Sequence, residues 1–204
     1  TTCLAIALEE AHVKGAICID YGQRHRVELA QAKIIADNAN IPFKVVDLTV
    51  ISQLTNSALT NDKIEIESAK ESLPNTFVPG RNALFLNIAA IDAYQQEASV
   101  IYTGVCQTDY SGYPDCRAAF IQSMQESLSL AMDYRFEIVT PLMHLTKAET
   151  VLKMAELDKL SWLAHSHTCY EGQRPACGKC PACRLRLKGF AEAGIADPLE
   201  YAPS

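Results

Sequence analysis

Apolar side chains fall along this chain in two alternating patterns. Short continuous apolar runs, which suit strands buried on both faces, are separated by longer stretches with apolar residues at helical spacing. Thr1 to Leu8 reads as the apolar turns of a helix already under way. Ala16-Ile-Cys-Ile-Asp20 is a short apolar run ending in a carboxylate, and predicts a strand with Tyr21 to His25 at its carboxyl end. Val27 to Asn40 carries Leu29, Ala32, Ile35, Ala36 and Ala39 as one stripe and stops at Asn-Ile-Pro, which predicts a helix. Phe43 to Val50 returns as a strand, so the three together predict a right-handed crossover unit.

From Ile51 to Asn75, polar residues alternate irregularly with Ser, Asn and Pro, which predicts a long surface segment with little core of its own. Asn82 to Gln95 is strongly amphipathic and is entered through a turn at Pro79 and Gly80; a helix start there offers free N–H groups to an anion. Ser99 to Val105 predicts a strand, with Gly104 allowing a close backbone approach at its end. Pro114 to Ala131 predicts a helix and Phe136 to Thr140 a short strand. Thr146-Lys-Ala-Glu149 fits a capping box for a helix running to about Asp158. Lys147 then lies in the first turn, unfavourably placed against the helix dipole, so it points to solvent or meets an anion. Arg184 to Glu192 predicts a last helix ended by Gly194. Alternating strands and helices, with no internal repeat, predict a doubly wound α/β fold: a mostly parallel sheet with helices on both faces and ligands at the carboxyl ends of the strands.

Composition narrows the class. A chain of 204 residues that is 49% hydrophobic can bury one good core. Its net charge is -6, and Lys and Arg cluster only around Arg184, Arg186 and Lys188, which argues against a long nucleic-acid ligand. No apolar run reaches the length of about 18 residues that a bilayer requires. Nothing reads as a secretory leader, so the expected compartment is the reducing cytoplasm.

Cysteine usage adds chemistry. Cys169, Cys177, Cys180 and Cys183 form one stretch in which the last three follow at two-residue gaps, and Gly178 and Pro181 favour a turn that aims them at one point. Four thiolates suit a tetrahedral zinc site with no open position for water, hence a structural ion. A disulfide pair is disfavoured in a reducing compartment, and an iron–sulfur cluster would use the same ligands. His167 reads as a solvated loop histidine. Cys3, Cys18, Cys106 and Cys116 read as small buried hydrophobes, with Cys106 and Cys116 left open as nucleophile candidates.

Three strand ends carry unusual residue sets: Asp20-Tyr-Gly-Gln-Arg-His25, Phe77-Val-Pro-Gly-Arg-Asn82, and the segment from Thr103 to Arg117. Together with Thr140-Pro-Leu, the capping box and the four cysteines, they closely resemble the 7-cyano-7-deazaguanine synthase family, N-type ATP pyrophosphatases of queuosine biosynthesis. The resemblance spans nearly the whole chain. That family carries a Ser-Gly-Gly-x-Asp-Ser loop followed by Thr-Thr-Cys-Leu, and this chain begins at Thr1-Thr-Cys-Leu4, so the first strand and glycine loop are expected upstream of it.

The resemblance implies a nucleotide-binding α/β domain over residues 1–160 and a zinc-binding C-terminal region over 161–204. It implies a ligase that forms carbon–nitrogen bonds, converting 7-carboxy-7-deazaguanine and ammonia to the nitrile with ATP and Mg²⁺, through adenylated acid and amide. Arg81 and Lys147 are then the catalytic candidates that neutralise developing charge. Thr1, Thr2, Cys3, Leu4, Tyr21, Gly22, Gln23 and Arg24 are the nucleotide-binding candidates. Asn82, Asp109, Tyr110, Ser111, Tyr113, Asp115 and Arg117 are the substrate candidates, with Asp109 or Asp115 accepting from ring N–H groups and Tyr110 or Tyr113 stacking. The family also implies a homodimer acting on small molecules, with neither nucleic acid nor membrane as partner. The competing readings are a tRNA-modifying ATP pyrophosphatase and a non-catalytic zinc-stabilised nucleotide-binding module.

Overall fold

In a computed structural model, residues 1–61, 63–66, 73–107 and 112–203 are described. The chain opens with helix α1 (Thr2–Glu10), then strand β1 (Ala16–Asp20), helix α2 (Val27–Asn38) and strand β2 (Phe43–Asp47). β1 and β2 pair in parallel, Ala16 opposite Phe43 through Asp20 opposite Asp47. The strand–helix–strand unit expected from the apolar pattern is therefore present. Ladder pairing runs one residue past β2, where the Leu48 N–H donates to the Asp20 carbonyl at 2.6 Å. The Asp47 carboxylate then takes the Thr49 N–H at 2.8 Å, and that turn ends the strand short of Val50.

The chain continues into a short helix α3 (Ile51–Leu54), and the segment up to Asn75 departs from the surface loop expected of it. Ile51, Ser57 and Ala58 are all 3% exposed or less. Ile51 packs with Ile19, Tyr21 and Val78 beneath the end of β1. The buried residues here are mostly small and widely spaced, so no periodicity announces them.

Helix α4 (Arg81–Gln95) follows a turn at Gly80, leading to strand β3 (Val100–Tyr102). The long helix expected from Pro114 is broken. A 3-10 turn spans Pro114–Cys116, and helix α5 (Ala118–Met132) begins only after Arg117, which is extended. The break has a cause: the Asp115 carboxylate is drawn to the Asn82 N–H at the start of α4, 3.1 Å away, while Gln107 accepts the first N–H of α5. Strand β4 (Glu137–Val139) pairs in parallel with β3. The pairing continues at both ends through Glu137 N–H to the Ser99 carbonyl and Thr103 N–H to the Val139 carbonyl. α4 and α5 cover β3 and β4, burying Leu86, Ile101, Leu128, Phe136 and Ile138. All pairings between these strands are parallel and helices alternate with them, so the α/β class stands; among the described residues the strands hydrogen-bond as two pairs.

Helix α6 (Lys147–Glu156) starts in the expected capping box, with both the Thr146 hydroxyl and the Glu149 carboxylate bonded back at 3.2 and 2.7 Å. A 3-10 segment, Leu160–His165, leads to helix α7 (Pro181–Ala193). α7 begins three residues before the expected Arg184, because Pro181 occupies its first turn and the Cys180 sulfur caps the Cys183 N–H at 3.4 Å. Gly194 ends it in the left-handed region, as expected. α6 and α7 pack together and onto α1, with Ala5, Val151, Met154, Leu163 and Phe190 between them. Among the described residues, no helix is long and apolar enough to cross a membrane.

Candidate functional site

The carboxyl end of β1 and the starts of α1, α4 and α6 face one cavity of about 820 Å³. Its wall includes Thr1, Thr2, Cys3, Leu4, Tyr21, Gln23, Arg24, Arg81, Tyr113 and Lys147, which brings together most of the nucleotide and catalytic candidates. This is where an open parallel α/β fold places ligands. Gly104, at the end of β3, also lines it; a Cβ there would sit 3.4 Å from the Cys3 sulfur, the close approach expected of a glycine. Burial pushes the Cys3 thiol up to about 11, which keeps it neutral.

Arg81 is a cation held on the wall by aromatic rings. Its guanidinium lies over the Tyr21 ring at 5.5 Å and the Tyr113 ring at 5.7 Å, and it donates to the Tyr21 hydroxyl at 3.3 Å. Burial alone would lower its proton affinity, but Tyr21, Tyr113 and Asp115 outweigh this and raise it. Tyr113 is held in turn by the Thr76 hydroxyl at 2.7 Å and the Phe77 ring at 5.7 Å. Lys147 is exposed at the cavity edge, backed by Gly189 of α7; a Cβ at Gly189 would meet the Lys147 Cβ at 2.6 Å.

Gly22 stands at the turn out of β1 with φ of 77°, and a Cβ there would come within 2.8 Å of Ser52. It shapes the loop without lining the cavity. Gly22→Ala is expected to destabilise the protein by about 1–3 kcal/mol, through left-handed strain and the clash on α3. Urea denaturation checks this; an unchanged midpoint would mean that the loop relaxes freely.

The remaining substrate candidates divide. Asp115 is 6% exposed, with one carboxylate oxygen on the Asn82 N–H and the other, Oδ1, without a partner. Asn82 also donates to the Asp115 carbonyl at 3.2 Å and to the Cys116 sulfur at 3.4 Å. Arg117 is exposed at the start of α5 and, like Asn82 and Asp115, stands outside the cavity wall. Asp109, Tyr110 and Ser111 lie outside the described residues. Neither Cys106 nor Cys116 lines the cavity.

Sequence reasoning missed Glu28, on the cavity wall in the first turn of α2, where an acid reads simply as a complement to the helix dipole. It also missed Arg186, which reads as one of a surface basic triplet but is 7% exposed. His167 departs from the expected solvated loop: it is half-buried on the wall, with Nε2 3.2 Å from the Cys169 carbonyl and burial lowering its proton affinity.

Cys169, Cys177, Cys180 and Cys183 are all buried, and their sulfurs lie within 4.8 Å of one another. Tetrahedral zinc bonds of about 2.3 Å set sulfur–sulfur edges of roughly 3.8 Å, and Cys177 and Cys183 stand at 3.9 Å. Backbone N–H groups point at three of the sulfurs: Cys177 to Cys169 at 3.5 Å, Cys180 to Cys177 at 3.3 Å and Cys183 to Cys180 at 3.4 Å. Such donors favour thiolate over thiol. The cluster can hold a metal ion, and it sits where α7 begins.

The family model described as "Queuosine biosynthesis protein QueC" matches residues 1–194. A protein of Chromobacterium violaceum named 7-cyano-7-deazaguanine synthase is 50% identical over 204 residues, spanning 98% of this chain and 87% of its own length. A protein of the same name from Laribacter hongkongensis is 47% identical over 202 residues, spanning 98% of this chain and 88% of its own. With parallel α/β pairs, a cavity at a strand end and four convergent thiols already in place, the chain belongs to the QueC family of queuosine biosynthesis.

Proposed function

We propose that this protein is an ATP-dependent ligase that converts 7-carboxy-7-deazaguanine and ammonia to 7-cyano-7-deazaguanine through adenylated acid and amide. The observation that supports this most directly is the convergence of Thr1 to Leu4, Tyr21, Gln23, Arg24, Arg81 and Lys147 on one cavity at the end of β1. A carboxylate oxygen is a very poor leaving group, so it must be converted to an acyl phosphate before nitrogen can replace it. That transfer builds negative charge at the α-phosphate, which Arg81, held between two tyrosine rings, and Lys147 at the rim would offset.

Tyr113, on the cavity wall, suits a guanine-like ring by stacking, and Asp115, buried off that wall with Oδ1 unpartnered, is the acceptor candidate for its N–H. Asn82 holds Asp115 in place from the start of α4. Mg²⁺ takes few protein ligands beside phosphate oxygens, in keeping with the four-cysteine cluster being the one group among the described residues that could hold a metal on protein donors alone. Zinc at that cluster would be structural, since four thiolates close its coordination. The finer reading includes a cytoplasmic homodimer acting on small molecules, built as residues 1–160 carrying the nucleotide site and residues 161–204 carrying the metal.

Incubated with carboxy-deazaguanine, ammonium, Mg²⁺ and ATP, the enzyme is expected to release AMP and pyrophosphate in step with nitrile. Arg81→Ala should lower the turnover number by about a hundredfold. Chromatography of the nucleotide products decides: ADP and phosphate accumulating in step with nitrile would remove the adenylation mechanism and the role given to Arg81.

A further inference from the structure

Gly189 stands inside α7, where a glycine weakens a helix relative to alanine and no positive φ calls for one. Its place on the helix explains it. Ala182, Leu185, Arg186 and Phe190 recur at helical spacing and all line the cavity. Gly189 belongs to the same stripe and is buried, yet it is the one member that does not reach the wall.

Lys147 lies over it. A Cβ on Gly189 would fall 2.6 Å from the Lys147 Cβ, 3.3 Å from its carbonyl carbon and 3.5 Å from its Cα. The first of these is far inside the separation of about 3.5–4.0 Å at which carbon atoms rest. All three atoms belong to the backbone or the root of the side chain, so turning the lysine about its outer bonds clears none of them. Neither helix gives way easily. The start of α6 is pinned by its capping box, in which Thr146 and Glu149 each bond the other's backbone N–H. α7 is held by Cys183 in the thiol cluster, by the Arg186–Asp197 pair and by Phe190 against Val151 and Met154. The two helices thus meet at backbone distance on Gly189, and Lys147 lines the cavity from that point of contact.

Resting on the function proposed above, we infer that Gly189 is a positioning residue of the reaction: by admitting the Lys147 backbone against α7, it sets the point from which the Lys147 amine meets the phosphate. It touches neither nucleotide nor substrate and acts only through Lys147. A methyl group at 189 displaces the start of α6 and the amine with it. The attraction between a cation and developing negative charge falls with distance, and a shift of about 1 Å in a group that must be aligned costs up to about a hundredfold in rate. Glycine at 189 therefore trades helix stability for the alignment of one cation.

The test is a double-mutant cycle on adenylation. ATP–pyrophosphate exchange in the presence of carboxy-deazaguanine and Mg²⁺ reads that step without any nitrogen donor, and rates are expressed per folded molecule, with the folded fraction taken from circular dichroism. Gly189→Ala is expected to lower the turnover number of exchange by about tenfold or more, with KM for ATP changed by less than about threefold. Lys147→Gly, which removes both the amine and the colliding Cβ, should lower it by about a hundredfold. Adding Gly189→Ala to Lys147→Gly should then cost no further activity, because residues that act as a unit are not additive. A methyl group that merely loosened α7 would slow both backgrounds alike. If Gly189→Ala alone fails to fold, the double variant is expected to fold and to exchange at the rate of Lys147→Gly. Unaltered turnover in Gly189→Ala, losses that multiply in the double variant, or a double variant that fails to fold along with the single one would each overturn the inference. Absence of exchange in the unaltered enzyme removes the proposed function and this inference with it. Exchange at full rate in Lys147→Gly removes the role of Lys147 and of Gly189 while the ligase reading stands.

Discussion

Stripping the protein of metal, or replacing Cys183 by Ser, is expected to unfold the region around α7 and to give the largest stability loss of any single change. Cys183 is fully buried, and its sulfur stands 3.9 Å from that of Cys177. The loop from Cys169 to Cys180 has little apolar content of its own; its core consists of the four thiols with Ala176 and Leu199. Metal binding in such a loop is folding free energy, of about 10–16 kcal/mol for structural zinc in small peptides at neutral pH. Here the remaining core bears part of the load, since Phe190 of α7 is anchored against Val151 and Met154. The loss should therefore appear as a separate, earlier unfolding step. Elemental analysis is expected to give one zinc per chain, and calorimetry with and without chelator to show that step. Iron with visible absorbance, or identical melting after chelation, would sink the structural-zinc reading.

That the thiols were legible in sequence while other features were not follows from the range of the interactions. Three cysteines at two-residue gaps, and Thr146 with Glu149, act over one or two turns of chain, so composition and spacing contain them. The ends of β2 and the break before α5 depend on the Asp47 and Asp115 carboxylates finding particular N–H groups, and Asp115 reaches 33 residues back to Asn82. No local pattern carries that. The burial of the segment after β2 is hidden for a similar reason: the Ser57 hydroxyl and the Ala58 N–H both donate to the Asn75 carbonyl, at 3.1 and 2.9 Å, and that fold-back across 18 residues leaves no local hydrophobic pattern. In the cavity, residues at the end of β1 were found because that position is where an α/β fold binds ligands. Glu28 and Arg186 were missed because each has an ordinary surface explanation that only burial removes.

Arg186 is the basis of the second large effect: Asp197→Ala is expected to destabilise the protein by about 3–5 kcal/mol. The guanidinium uses all five of its N–H donors within the protein. Nε and Nη2 each donate to Asp197 at 2.7 Å, Nη1 to the Ser166 carbonyl and hydroxyl, and Nη2 also to the Leu163 carbonyl. Tyr201 donates to the same carboxylate at 2.6 Å, so the network ties α7 to the chain's last residues. Those residues in turn bracket Ala176 in the metal loop, through hydrogen bonds at 2.9 and 2.8 Å. Both charged side chains are under a tenth exposed. Removing the carboxylate leaves a buried cation with no counter-charge, which is the expensive half of such a pair. Replacing both partners, as Arg186→Met with Asp197→Leu, should restore much of the loss.

The pH dependence of that pair has a definite sign. Burial alone would push the Asp197 carboxyl up, but hydrogen bonds from Arg186 and Tyr201 outweigh it and hold the carboxyl below its usual range. A carboxyl with lowered proton affinity in the folded state contributes stability that is fully present above its unfolded value of about 3.9, and loses it as pH falls through the folded value. The stability difference between the unaltered protein and Asp197→Asn should therefore be flat from about pH 5 to 8 and shrink in more acid solution. Urea denaturation across that range reads it directly. A difference that instead grows toward low pH, or vanishes near neutrality, would show that Arg186 finds its counter-charge elsewhere.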